Sequence, residues 1–445
     1  MDKERIKFEN EILEKLKGKL TLLQDKQDRD RVIFSVFLEI YNTPQGKEMI
    51  KHVKDVEVER LFKEFLSYGL IEEFISDPTV EDVMINSLKP IYIHVMKKGL
   101  VKTNKKFENL DELNLFIKKL IIFSGRQKMG MINNVELRDI QGRINIIFSP
   151  FGPQITITRA KELPLSIIEL IEGRTLSCEL AAQLWIYIEG LGIKPANIII
   201  SGGPGSGKTT LLNAIFSFIP SKDRLVVIED TLELNTKLEE NCARLESEEG
   251  LSMEDLVKNS LRMRPDRVIV GEVRGREAAD LMTAMNIGKY CMGTLHASTA
   301  RETVIRLQNE PMNVPEVLIN LVDVFIIMRR FNMQSQVYRV VGEVVETAGL
   351  EKKIILLSPT WEYDFSRKDF TEVAVSSIYR DRLAKVSGVT AKDVMDEIKR
   401  RSIVLKAMLD KGIKAMSAVT RICRLYTENP SAVFQELGLN NNKHY

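Results

Sequence analysis

Residues 201–210 read SGGPGSGKTT. From Gly202 to Thr209 they fit the pattern G-x-x-x-x-G-K-[ST]. In that pattern the glycines let backbone N–H groups curl around phosphate oxygens, the lysine reaches the β- and γ-phosphates, and the final hydroxyl ligates Mg²⁺. The candidate nucleotide-binding residues are Gly202, Gly203, Pro204, Gly205, Ser206, Gly207, Lys208, Thr209 and Thr210. The flanks of the loop decide the fold. Asn197-Ile198-Ile199-Ile200 follows Pro195 and reads as a buried parallel strand. After the loop, Thr210 to Phe216 carries no Gly or Pro and reads as a helix. A strand, a glycine loop and a helix N-terminus together make an anion site. Nucleotide binding is the first expectation.

Outward from the loop, short apolar runs alternate with helical patterns from about residue 167 to 330. The runs are Ile198–Ile200, Leu225–Ile228, Val268–Val270, Met292–Leu295 and Val324–Met328. This is the rhythm of a parallel sheet between helices, an α/β class. The core is expected over 176–372, with appended strand-like pieces around Trp361 and Tyr363. A C-terminal helical tail is expected over 373–445. There Thr390 and Asp393 can form a capping box, and Gly412 suits a helix stop.

Upstream, residues 1–75 read as a helical segment, with Ile12, Leu13, Leu16, Leu20 and Leu23 at helical spacing. Its mixed charge suits packing within its own domain better than a membrane surface. Residues 76–162 read as a smaller α+β domain. It has a turn at Asp77-Pro78, a helix through Leu113, Phe116, Ile117 and Leu120, and strands around the turn SPFGP. Residues 163–175 are expected to be a linker, because Pro164 disfavours helix on both sides.

With 445 residues the chain is too long for one ordinary domain. No apolar run approaches the length of a transmembrane helix, and the opening MDKERIKFENE is too charged for a signal peptide. Cys178, Cys242, Cys291 and Cys423 are scattered without a C-x-x-C pair. That speaks against a zinc site or a disulfide framework and fits a reducing cytoplasm. Net charge is +2, and residues 1–40 hold nine acidic and nine basic side chains. There is no basic arm of the kind a nucleic-acid translocase would use.

Phosphoryl transfer needs a metal, an oriented water and positive charge for the transition state. Ligands of such sheets bind at the carboxyl ends of strands. Three stretches supply candidates there. In LVVIEDTLEL the strand runs into Glu229, Asp230 and Glu233; a solvated acidic turn is the alternative reading. In RMRPDRVIVGEVRGREA the strand ends in Gly271-Glu272, followed by Arg274 and Glu277. Glu272 is placed to polarise water or hold the magnesium's water shell, with helix capping as the alternative. Gly271 suits close approach to phosphate. In MGTLHASTARETVIRL the strand ends in Thr294 and His296, and His296 is read as a γ-phosphate sensor. The candidate metal-side residues are Thr209, Glu229 and Glu272.

These blocks resemble, in order, the Walker A, Asp box, Walker B and His box of the secretion ATPase superfamily that drives type II and type IV secretion, type IV pili and the archaeal flagellum. Here they are GGPGSGKTT, IEDTLEL, RPDRVIVGEVRGREAAD and GTLHAST. DPTVEDVMINS and GRINIIFSPFGPQITITR are similar to the family's N-terminal domain, and the C-terminal stretches look closest to its archaeal branch. The resemblance implies a RecA-like core, ATP and Mg²⁺, and a homohexameric ring. It implies a cytoplasmic place at the inner face of the membrane, a polytopic membrane platform protein and a pilin-like filament system. It assigns catalysis to Lys208, Glu272 and His296, with Glu229 and Glu233 placing metal or water. It also implies arginines that complete the site in trans. The candidates are Arg138, Arg143 and Arg159, with Arg262 and Arg264 as further ones. The sequence departs from the family at His296-Ala297-Ser298-Thr299, where His-Ala-Asn-Ser is frequent, and at Gly288-Lys289, where Gly-His is common. The tetracysteine zinc module of the bacterial pilus-assembly branch is absent. A nucleic-acid translocase and a nucleotide-gated scaffold without turnover are the rival readings.

Overall fold

Alternate residues of the central strands enter two different cores, and this period of two builds the larger unit. Ile198, Ile200, Leu225, Val227 and Ile269 join one cluster. Ile199, Val226, Ile228, Val268 and Val270 join the other. Such strands are buried on both faces, so they read as continuous apolar runs. The computed structural model describes residues 3–21, 24, 26–50, 58–95, 98–137, 142–159, 164–248, 250–333, 336–374 and 376–439. The chain divides into two units, Met1–Glu162 and Leu163–Tyr445.

The first unit opens with helices α1 (Lys3–Leu16), α2 (Lys26–Tyr41), α3 (Pro44–Met49), α4 (Val58–Leu66) and α5 (Glu72–Ser76). Leu23 lies outside the described residues. Strands β1 (Val80–Asn86), β2 (Tyr92–Val95) and β3 (Gly99–Lys102) lead to α6 (Leu110–Phe123), then to β4 (Ile132–Leu137), β5 (Gly142–Ser149) and β6 (Gly152–Arg159). The sheet order is β3-β2-β1-β6-β5-β4, antiparallel throughout. Asn109 caps α6 by accepting from the Glu112 N–H at 2.9 Å. The apolar face of α6 packs with Ile12, Leu13 and Leu16 of α1. Lys119 of α6 is only 6% exposed. Its ammonium donates to the carbonyls of Phe65 and of Ser67, the latter at 2.5 Å. The rings of Phe65, Phe123 and Tyr68 stand 5.1, 5.5 and 5.9 Å away. Burial pushes this amine down to about 8.

The second unit runs α7 (Ile167–Glu172), α8 (Cys178–Glu189), β7 (Ile198–Gly202), α9 (Lys208–Ile215), β8 (Leu225–Glu229), β9 (Cys242–Glu246), α10 (Met253–Ser260), β10 (Arg267–Val270), α11 (Glu277–Asn286), β11 (Tyr290–Leu295), α12 (Ala300–Gln308) and α13 (Glu316–Ile319). Strands β12 (Val324–Met333), β13 (Gln336–Glu351), β14 (Ile354–Asp364) and β15 (Asp369–Glu372) follow. The chain closes with α14 (Ile378–Ser387), α15 (Ala391–Asp410), α16 (Met416–Glu428) and α17 (Pro430–Glu436). Among the described residues the sheet order is β15-β14-β13-β12-β7-β11-β10-β8-β9.

One expectation needs correction. The sheet is mixed, not parallel throughout. The pairs from β12 to β9 are parallel, whereas β12–β13, β13–β14 and β14–β15 are antiparallel. Antiparallel neighbours need only hairpins, and among the described residues no helix intervenes there. The stretch 163–175 contains α7. Ser166 Oγ accepts from the Glu169 N–H, the Glu169 carboxylate accepts from the Ser166 N–H, and Ile167, Ile168, Leu170 and Ile171 are buried. Pro164 precedes the cap and so does not interrupt the helix. The residues after 373 form the helices α14 to α17. Helix α15 packs on α8, where Arg401 pairs with Glu189 at 2.7 Å and Glu397 at 3.0 Å. The Arg401 guanidinium also lies 4.9 Å from the Trp185 ring and 5.6 Å from that of Tyr426.

Candidate nucleotide-binding site

Strand β7 ends at Gly202, and α9 begins at Lys208. Between them Gly205 and Gly207 take φ of 65° and 98°. This is the left-handed region in which glycine has no steric penalty. Gly207 is the N-cap of α9 and offers no side-chain cap. The first N–H groups of the helix therefore have no intrahelical or capping acceptor, which is what a phosphate oxygen requires. Ser206 Oγ is buried with no hydrogen-bond partner among the described residues. Thr209 and Thr210 are half-exposed at the helix start, and Pro204 and Gly205 are exposed. These features fit a nucleotide phosphate chain with its magnesium.

From Lys208 a row of alternating charge leaves the loop. Lys208 Nζ donates to the carbonyls of Gly202 and Gly203 at 3.0 and 3.1 Å and lies 3.2 Å from His296 Nδ1. Lysine only donates, so Nδ1 accepts and the ring proton of neutral His296 sits on Nε2. That Nε2 is 2.9 Å from Glu272 Oε1, close but not aligned as a hydrogen bond. Glu272 Oε2 accepts from Arg274 Nη2 at 2.6 Å, and Arg274 Nη1 donates to Asp230 at 2.8 Å. Burial and the Lys208 charge depress the His296 imidazole. Burial pushes the Glu272 carboxyl up, but the Arg274 hydrogen bond and the nearby charges outweigh it and hold Glu272 below the usual carboxylate range. Desolvation also lowers Lys208.

The strand ends are stitched together behind this row. Thr294 Oγ1 donates to the Gly271 carbonyl at 2.6 Å, and the Gly271 N–H donates to Ile228 at 2.9 Å. Glu229 ends β8 and is 1% exposed. One of its oxygens accepts from the Glu233 and Leu234 N–H groups at 2.7 and 2.8 Å, and the other from Arg244 at 3.4 Å. Its carboxylate is thus engaged with the loop that follows the strand. Glu233 lends its backbone N–H to this turn while the residue itself is exposed. The close approach at Gly271 is also to Glu229. A Cβ there would stand 2.9 Å from Glu229 Cγ, so the glycine makes room for the Glu229 side chain. Asn213 of α9 donates to Thr209 and accepts from the Asn235 N–H, tying the helix to the same loop.

The arginine candidates fall in both units. Arg138 lies outside the described residues. In the first unit, Arg143 stands on β5 opposite Thr158, and Arg159 ends β6 and donates to the Asp77 and Val80 carbonyls. Arg262 and Arg264 are exposed and precede β10, at the end of that strand opposite to Glu272. The strand itself separates them from the site within one chain. Sequence reading passed over Arg274 as a site residue, and it missed Arg339, whose Nε donates to the Gly205 carbonyl at 2.9 Å. The signal for Arg274 was its spacing of two from Glu272; Arg339 carried none. Beside Glu272 opens a cavity of ≈ 540 Å³ lined by Arg274, His296, Ile305, Arg306 and Met312 among others.

Residues 134–351 match the family described as type II/IV secretion system protein. Over 389 residues the chain is 32% identical to the uncharacterized protein MJ0900 of Methanocaldococcus jannaschii, covering 83% of this chain and 68% of that one. Over 278 residues it is 30% identical to the conjugal transfer protein TrbB of Rhizobium radiobacter, covering 60% of this chain and 84% of that one. The chain belongs to the type II/IV secretion system protein family. Among solved structures, the ATPase DotB of Legionella pneumophila is similar at 16% identity with a TM-score of 0.47, covering 78% of this chain and 93% of that one. The span that places this chain among the type II/IV secretion system proteins takes in the phosphate loop, Glu229, Glu272 and His296, together with Arg143 and Arg159. Among the described residues no helix is long and apolar enough to cross a membrane.

Proposed function

We propose that the chain is an ATP-hydrolysing motor of a secretion or filament-assembly machine. The observation that carries this reading is the row Lys208–His296–Glu272–Arg274 set against a phosphate loop with uncapped N–H groups. The loop and Lys208 bind the triphosphate. Thr209 would hold Mg²⁺, which when bound neutralises charge on the phosphate oxygens. Glu272, kept ionised by Arg274, accepts a proton from water as that water attacks the γ-phosphorus. The bond to the bridging oxygen breaks, and ADP and phosphate leave. His296 touches both Lys208 and Glu272 and so reports the presence of the γ-phosphate to the rest of β11. Glu229 acts as an anchor for the 230–235 loop, and Glu233 belongs to that loop; neither touches the substrate in this scheme.

The motor works as a homohexameric ring in which arginines of the first unit, among Arg138, Arg143 and Arg159, complete a neighbour's site, with Arg262 and Arg264 as exposed alternatives. It sits at the cytoplasmic face of a membrane through a polytopic platform protein and drives a pilin-like or archaellum-type filament of the archaeal branch. Similarity to MJ0900 of an archaeon supports that branch. Steady-state Mg-ATPase activity per subunit, measured against protein concentration with Lys208→Ala as the blank, tests the reading. A rate that climbs and then saturates is expected. No rate above the blank at any concentration would overturn it.

A further inference from the structure

Strand β12 does not stop where its pairing with β7 stops. Met328 is the last paired residue, opposite Gly202, and β12 continues beside the phosphate loop to Met333 before β13 returns. This register places Arg330 directly opposite Arg339. Like charges directly opposite each other on an antiparallel pair are destabilising. Both residues are exposed, and among the described residues neither has a carboxylate partner. The pair is therefore unexplained by the fold itself.

Both side chains reach the loop. Arg339 Nε donates to the Gly205 carbonyl at 2.9 Å. Its Cδ lies 3.6 Å from where a Cβ on Gly207 would stand, and Arg330 Nη1 lies 3.1 Å from the corresponding place on Gly205. With no side chains at these glycines, two guanidinium groups rest on backbone whose N–H groups already attract an anion. The geometry points to an anion clamp in which Arg330 and Arg339 grip the phosphate chain of a nucleoside di- or triphosphate at the Gly205–Gly207 crown of the loop. Lys208 holds its other end, where His296 and Glu272 stand. The clamp rests on the nucleotide-binding reading above. It differs from arginines supplied across a ring, because both residues belong to the unit that carries the loop.

Groups that hold phosphates common to ADP and ATP contribute to binding and not to bond cleavage. The test is titration of the full-length protein with a fluorescent ADP analogue, alongside steady-state ATP kinetics. Arg330→Gln and Arg339→Gln are each expected to weaken ADP about tenfold, with KM for ATP rising in step and kcat within about twofold. Arg330→Lys is expected to recover part of the loss. Arg330 is the decisive position, because it makes no hydrogen bond to the loop and its loss leaves the Gly205 turn in place. Melting temperatures measured without nucleotide show that the variants are folded. ADP affinity unchanged in Arg330→Gln overturns the clamp, and so does a loss confined to Arg339→Gln, which reduces that residue to a prop for Gly205. Wild-type protein that binds no ADP overturns the nucleotide reading itself, a failure distinguishable from that of the clamp by the wild-type titration alone.

Discussion

Glu272 shares its two oxygens between Arg274 and His296, and that sharing sets its chemistry. Replacing it with Gln removes the proton acceptor but keeps size and polarity. Glu272→Gln is expected to lose about 10²–10⁴-fold in turnover while ADP affinity stays near wild type, checked by kinetics and titration together. The pH dependence follows from the same contacts. His296 is depressed, so it is neutral above its ordinary range near 6.5, and Glu272 is held below the usual carboxylate range. The rate at saturating ATP is expected to be flat from pH 7 to 8, with any acid limb below about 6.5. Arg274 is a positioning residue in this arrangement. Its hydrogen bond is the main influence lowering Glu272, so Arg274→Gln is expected to move the acid limb to higher pH as well as slow turnover, and a pH–rate profile separates this from mere loss of packing. Much of this site was legible in sequence. Glu229, Glu272 and His296 each follow a short apolar run, and runs of that kind end at one edge of a parallel sheet. Arg330 and Arg339 were not legible, because strand register is absent from a one-dimensional pattern. Nor was the anchoring of Glu229, which needs its partners in space.

At the scale of elements, the strands buried on both faces announced themselves, while β9 did not. Its sequence CARLE is half-exposed at the sheet edge and has neither an apolar run nor clean alternation. Helix α7 was overlooked although Ser166 and Glu169 stand at capping-box spacing, because Pro164 two residues earlier suggested a break. The capping box at Thr390 and Asp393 was legible and starts α15. What holds α15 in place was not, since Glu189 and Arg401 are far apart in sequence. Arg401 is buried between two carboxylates and two rings. Arg401→Met leaves Glu189 buried without its cation and is expected to cost about 3–5 kcal/mol, measured by denaturant unfolding. Adding Glu189→Gln is expected to recover part of that loss, because the stranded charge is then gone.

At the scale of the whole molecule, each unit has a core of its own. A fragment of residues 163–445 is expected to fold and bind ADP but to hydrolyse ATP poorly, since the arginines proposed to complete the site, Arg143 and Arg159, are missing; titration and turnover on the same preparation check both halves. In the first unit, Lys119 links stability to pH. Its folded value is about 8 against an ordinary lysine value of 10.5, so the unfolded chain binds this proton more tightly. The cost of burying the charge is fully present below pH 8 and fades as pH rises toward 10.5. Unfolding curves of wild type and Lys119→Met are expected to shift in favour of wild type over that window, by on the order of 3 kcal/mol.

The aromatic lining around Lys119 has a consequence for chemistry in solution. An amine pushed down to about 8 carries a free-base fraction that an acylating reagent can use near neutral pH. Water-borne acylating reagents nevertheless cannot reach it while Phe65, Tyr68 and Phe123 are closed over it. Acyl groups appearing on Lys119 in a mass spectrum therefore count the moments when α6 lifts from its neighbours. The side chain is a clock for the opening of this unit, already wound into the native sequence.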